Sequence, residues 1–205
     1  MKKPSYGKRF VILVLGALVL LAGNSEGREP PSKTKKTASA PRSEGRKHDI
    51  DISRLEKKIH DLINLERKKK GLQGLSWNAS LNRIARRYSR DMAGRRFFSH
   101  NDPEGRSFMD RYKEEGFACK LKNGNATCYG AENIAQDNLY SSVVYLNGAP
   151  SYTWNIEDKI AASVVKRWME SKGHRENILT SYFKRQGIGV AVSDDGKVYV
   201  AENFC

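Results

Sequence analysis

Ile188-Gly189-Val190-Ala191-Val192-Ser193-Asp194-Asp195-Gly196-Lys197-Val198-Tyr199-Val200-Ala201-Glu202-Asn203-Phe204 is the stretch on which the fold turns. Ile188, Val190 and Val192 alternate, Asp194-Asp195-Gly196 is turn chemistry, and Val198, Val200 and Phe204 alternate again. Period two on both sides of a short polar turn spells an antiparallel pair. Upstream the period lengthens to that of a helix. Ile160, Ala161, Val164, Val165 and Trp168 predict a helix over 156–170, and Leu81, Ile84, Ala85, Tyr88 and Met92 another over 79–93, capped by Asn78 and stopped by Gly94. Leu55, Ile59, Leu62 and Ile63 predict one over 54–70, opened by the capping box Ser53-Arg54-Leu55-Glu56 and closed by Gly71. Phe108, Met109 and Tyr112 mark a short helix over 107–115, and Gly173 to Leu179 reads as a turn feeding a short helical piece. The sum is an α+β fold, helices packed on an antiparallel sheet built mostly from the C-terminal half. Residues 117–155 are less regular. Gly130 to Ala135 is the compact piece, and 136–155 reads as a long surface loop holding a short extended pair.

The 205 residues carry 37 Lys+Arg against 23 Asp+Glu, a net charge of +14, with 39% apolar residues. That apolar share supports a packed core, and one long apolar run excludes a polytopic membrane protein. The run is Phe10 to Ala22, behind Lys2, Lys3, Lys8 and Arg9. Residues 1–23 therefore read as a signal peptide, with an uncleaved N-terminal membrane anchor as the alternative. Residues 24–49 are rich in Pro, Ser, Lys, Thr and Arg and read as a disordered basic linker; residues 50–205 form the folded domain. Residues 1–49 hold 11 Lys+Arg against 4 Asp+Glu, and residues 50–205 hold 26 against 19, so each part has a net charge of +7. A basic exported chain suits anionic envelope components or lipids, although a solvated charged surface explains the same charge. Membrane contact is expected only through residues 10–22, if they are uncleaved. No basic recognition helix or aromatic stacking motif points to nucleic acid.

Cys119 and Cys128 flank a short polar loop, and a disulfide between them is the expected pairing in an exported chain. Cys205 is then left over, with pairing to either of the others, or to another molecule, as the alternatives. Asn78-Ala79-Ser80 and Asn125-Ala126-Thr127 are sequons, read here as a helix cap and a loop.

Of the four histidines, His48 lies in the linker and His60 on the polar or boundary side of the first helix. His100 and His174 each end a helical segment in loop-like sequence, a setting typical of site residues. Glu132 stands in a small, apolar stretch, and a carboxylate buried there must be paired or hydrogen-bonded.

The order of these pieces resembles the CAP superfamily, whose members carry an SCP domain. The resemblance rests on Ile63-Asn64-Leu65-Glu66-Arg67, Leu75-Ser76-Trp77, Phe98-Ser99-His100-Asn101-Asp102-Pro103-Glu104-Gly105 and Gly130-Ala131-Glu132-Asn133-Ile134. It continues through Trp168-Met169-Glu170-Ser171-Lys172-Gly173-His174-Arg175-Glu176-Asn177-Ile178-Leu179 and Gly187-Ile188-Gly189-Val190, and the version around His174 is similar to prokaryotic members.

The resemblance implies an α-β-α sandwich and a cleft where two imidazoles, His100 and His174, meet Glu132 and a second acid. The position of that acid is Ser171 here, with Glu170 one residue earlier. One residue turns a helical side chain by about 100°. Two imidazoles and a carboxylate suit Zn²⁺ or another divalent cation. Three readings follow. The first is an extracellular binding module for lipid, envelope polymer or protein, with His100 and His174 as metal ligands. The second is a metal-assisted hydrolase or peptidase using the same cleft, against which the sequence offers no nucleophile–base–orienter set. The third makes the His/Glu cluster purely structural.

Overall fold

The computed structural model describes residues 49–205. The signal or anchor segment and most of the linker lie outside the described residues. Helix α1 spans Ile52–Lys69 and packs Leu55, Ile59 and Ile63 into the core. Its cap is Asp51, which accepts from the Arg54 amide, and not the Ser53–Glu56 box expected from sequence. Glu56 is drawn inward instead, as described below. Strand β1 is only Ser76–Trp77. Helix α2, Ala79–Arg95, is capped by Asn78 as expected but runs through Gly94 and stops at Arg96, which adopts the left-handed conformation. Helix α3, Phe108–Glu114, is opened by a Ser107–Asp110 capping box.

Residues 117–155 are mostly strand. β2 (Leu121–Asn123) and β3 (Ala126–Cys128) form a hairpin, β4 covers Ala131–Asn138, and β5 (Tyr140–Leu146) and β6 (Ala149–Trp154) form a second hairpin. The extended pair thus fills most of the expected loop. Asn147 and Gly148 both have positive φ, which is the geometry an Asn-Gly hairpin turn needs. Helix α4 is Glu157–Glu170, α5 is Lys172–Leu179, β7 is Arg185–Val192 and β8 is Lys197–Phe204.

The main sheet has the order β1-β7-β8-β4, antiparallel except for the short parallel pairing of β1 with β7. α1 and α4 cover one face with Ile59, Ile63, Val164 and Trp168 against Ile188, Val190, Val200 and Phe204. α2 covers the other with Ala85, Tyr88 and Met92 against Ile134, Tyr199 and Ala201. Gly187 and Gly189 permit this second contact. A Cβ on Gly187 would stand 2.1 Å from the Asn82 amide nitrogen, and one on Gly189 2.0 Å from that of Arg86. The helix backbone therefore rests directly on β7.

The open edge of β7 is covered by side chains from both layers. The Val190 amide donates to Glu56 at 3.1 Å, and Asn82 donates to the Ile188 carbonyl. Arg86 holds Glu56 by two bonds of 2.7 and 2.6 Å. His60 continues the row and is buried, not on the polar side: Nδ1 lies 2.7 Å from the Gln186 amide and Nε2 3.2 Å from that of Asn64. An exposed edge is a template for aggregation, and this row closes it.

The disulfide joins Cys119 to Cys205, and Cys128 is free. This corrects the expected Cys119–Cys128 bridge. Cys128 is paired across the β2–β3 hairpin with Leu121, while Cys119 lies before the hairpin and meets the chain end with a Cα separation of 5.7 Å. Among the described residues no helix is long and apolar enough to cross a membrane.

Candidate functional site

The loop after α2 delivers His100. Tyr88 on α2 donates to the Ser99 carbonyl at 2.5 Å, and Asp102 accepts from the Glu104 and Arg106 amides at 3.1 and 2.9 Å. Burial would raise the Asp102 pKa, but the bonds from Arg106 and the Glu104 amide outweigh it and hold the carboxyl below its ordinary range. Burial pushes the Tyr88 hydroxyl up to about 12, so it stays a donor.

Glu132, on β4, is the anchor of the site. Its side chain is 1% exposed. Oε1 lies 3.1 Å from Nδ1 of His100, and Oε2 accepts from Nη2 of Arg111 at 2.6 Å. Arg111, on α3, also donates to the carbonyls of His100 and Arg106 and lies 3.4 Å over the Tyr88 ring. A carboxylate facing Nδ1 favours a proton on that nitrogen and turns the Nε2 edge of the ring away from Glu132. The ring is half exposed.

His174, on α5, faces His100 with ring centroids 6.3 Å apart and planes at 41°. Burial first, and the neighbouring His100 second, lower its pKa, so it is a neutral imidazole at pH 7. Asn133 and Asn177 lock α5 to β4. Asn177 donates to the Asn133 side chain at 2.9 Å, and Asn133 to the His174 carbonyl at 3.3 Å. Trp168 adds a bond from its indole to the Ile134 carbonyl at 2.9 Å.

His100, Glu132 and His174 therefore come together from three separate stretches of chain. Glu170 does not join them: it is exposed at the end of α4, with its ion pair to Lys166 at 3.8 Å. Arg111 is the residue the sequence reading missed. The available signal was Glu132 itself, because a buried carboxylate demands a cation, and Arg111 on the short helix was a candidate.

The donor set decides what the cleft can hold. Both oxygens of Glu132 are engaged, so it orients His100 as a carboxylate behind a ligating histidine does. The two imidazoles, with ring centroids 6.3 Å apart, are then the donors left open on this face of the site. Among the described residues no group of three or more His, Cys, Asp or Glu is placed to hold a metal. Catalytic zinc sites ordinarily take three protein ligands.

The fold class is thus a three-layered α+β domain, with an arginine-clamped His/Glu cluster at one end of its sheet. The chain belongs to the cysteine-rich secretory protein family, CAP, which residues 60–204 match. It is 33% identical over 172 residues to the uncharacterized protein YkwD of Bacillus subtilis, covering 83% of this chain and 53% of that protein. Among solved structures it is similar to an extracellular protein containing an SCP domain from Bacillus anthracis, at 26% identity and a TM-score of 0.52, over 75% of this chain and 40% of that one. It also shares its fold with an outer surface protein of Borrelia burgdorferi, at 18% identity and a TM-score of 0.56, over 77% and 96% of the two chains. The chain spans about half the length of YkwD.

Proposed function

We propose that the protein is an exported binding module whose cleft takes a divalent cation, Zn²⁺ in the first instance, between His100 and His174. The bound cation is the point at which an anionic ligand of the envelope, a lipid headgroup or wall polymer, attaches. The observation that carries this reading is the pair of imidazoles with ring centroids 6.3 Å apart, one of them oriented by a carboxylate that Arg111 holds in place. The extracellular and surface placement of the structural neighbours supports export.

The residues divide the work. Glu132 orients the His100 ring, Arg111 holds Glu132 in place, and the Asn133–Asn177 pair holds His174 at its distance. The cation would supply charge to attract an anion and polarise it. A metal-assisted hydrolase is the alternative use of the same rings. It is the weaker reading, because among the described residues no serine, threonine or cysteine side chain is hydrogen-bonded to either imidazole.

Calorimetric titration with Zn²⁺ tests the proposal. The expected result is one site in the wild type and none in His100→Ala or His174→Ala. Equal binding by the variants would place any metal elsewhere and end this reading. Cleavage of a peptide library by the wild type, lost in both variants, would favour the hydrolase instead.

A further inference from the structure

The foot of the β5–β6 hairpin carries chemistry that the His/Glu cleft does not use. Residues 140–154 contain no charged side chain, in a chain where 29% of residues are charged. The pairings Tyr140↔Trp154, Val143↔Tyr152 and Tyr145↔Pro150 gather an apolar, aromatic set along the hairpin. Tyr152 and Trp154 stack with centroids 5.0 Å apart and planes at 25°, and Tyr140 meets Tyr152 edge-on at 5.1 Å. The foot is fixed to the turn between β7 and β8. Leu139 donates to the Gly196 carbonyl at 2.8 Å, and Asn155 donates to the Leu139 carbonyl at 2.7 Å. That attachment brings Asp194 and Asp195 beside the rings. Together with Leu139, Tyr140, Tyr152 and Trp154 they line a cavity of about 190 Å³.

Asp194 and Asp195 set two carboxylates beside the rings, with Lys197 and Arg96 also near enough to act on Asp195. Aromatic faces attract cations, and nearby carboxylates strengthen that attraction. Asp195 already accepts from the Ser193 hydroxyl, so part of its contribution is charge rather than open acceptor positions. A primary ammonium brings three donors that need acceptors. A quaternary ammonium brings none, and its methyl groups suit the rings and Leu139. We propose that this pocket is a ligand site separate from the His/Glu cleft and takes a quaternary ammonium group of the choline type. Six residue steps along β4 separate Asn138, beside this foot, from Glu132, roughly 20 Å. The two sites therefore stand or fall independently.

The test is calorimetric titration of the full chain with choline chloride. Its uncharged isostere 3,3-dimethyl-1-butanol and the primary ammonium Nα-acetyl-lysine methylamide serve as comparison ligands. Choline should saturate and the isostere should not. Tyr152→Ala and Asp195→Asn should each weaken choline binding roughly tenfold, while His100→Ala should leave it unchanged. Asp195 is exposed on a turn, so its variant keeps the test decisive if Tyr152→Ala fails to fold. The proposal is overturned by a choline Kd weaker than about 100 mM, by equal binding of the isostere, by tighter binding of the lysine analogue, or by variants that bind as the wild type does.

Discussion

Arg111 holds the site together, because the buried Glu132 carboxylate is paired with its guanidinium at 2.6 Å. Removing one partner of a buried pair strands the other, at a cost of about 3–5 kcal/mol. Arg111→Met should therefore lower stability in urea unfolding by that amount, and adding Glu132→Gln should recover most of it. A double variant no more stable than Arg111→Met would show that the pair is not coupled. His60 makes a second prediction. Its pKa in the folded protein is lowered, chiefly by burial and then by Lys57, with Asp61 opposing. The unfolded chain then binds the proton more readily, so the stability present above the ordinary histidine pKa, near 6.5, is lost as pH falls toward the folded value. His60→Gln should flatten that part of the pH–stability curve. Single residues were unevenly visible in the sequence. His100, His174 and Glu132 stood out because each was polar where its neighbours were small or loop-forming. Arg111 did not, because a charged residue on an amphipathic helix ordinarily faces water, and Glu56 read as a capping residue where the fold turns it inward to Val190 and Arg86.

Element by element, the three long helices and the last two strands followed from hydrophobic period, while α5 read as a turn feeding a short helical piece. The β5–β6 hairpin did not, because both of its faces are largely exposed and no buried face imposes alternation. Its Asn147-Gly148 turn was the available sign. The contact of α2 with β7 depends on the absence of side chains, which periodicity does not register. Gly189→Ala should cost on the order of 3 kcal/mol in thermal or urea unfolding, since the obstructing atoms are helix backbone. A near-neutral variant would mean that α2 does not lie so close. Spacing pointed to Cys119–Cys128, and tertiary placement of the chain end beside Cys119 overturned it. The observed bridge spans 86 residues. A loop of that length should contribute about 4–5 kcal/mol in the chain-entropy account, so Cys205→Ser should lower stability strongly and Cys128→Ser hardly at all. The reverse order would restore the Cys119–Cys128 bridge.

Across the whole molecule, one sheet keeps two chemistries apart. The His/Glu cleft lies where β4 begins, and the aromatic foot of the hairpin lies where β4 ends. Side chains from α1 and α2 close the open edge of β7. Membership of the CAP family accounts for the fold class. It leaves the ligand to the site itself. Histidine-ring NMR, with nitrogen–proton correlations recorded during Zn²⁺ addition, tests the site most directly. The account predicts His100 protonated on Nδ1 before the metal is added, followed by coupled shifts of His100 and His174 while His60 stays still. Protonation of His100 on Nε2, or movement of one ring without the other, would contradict it.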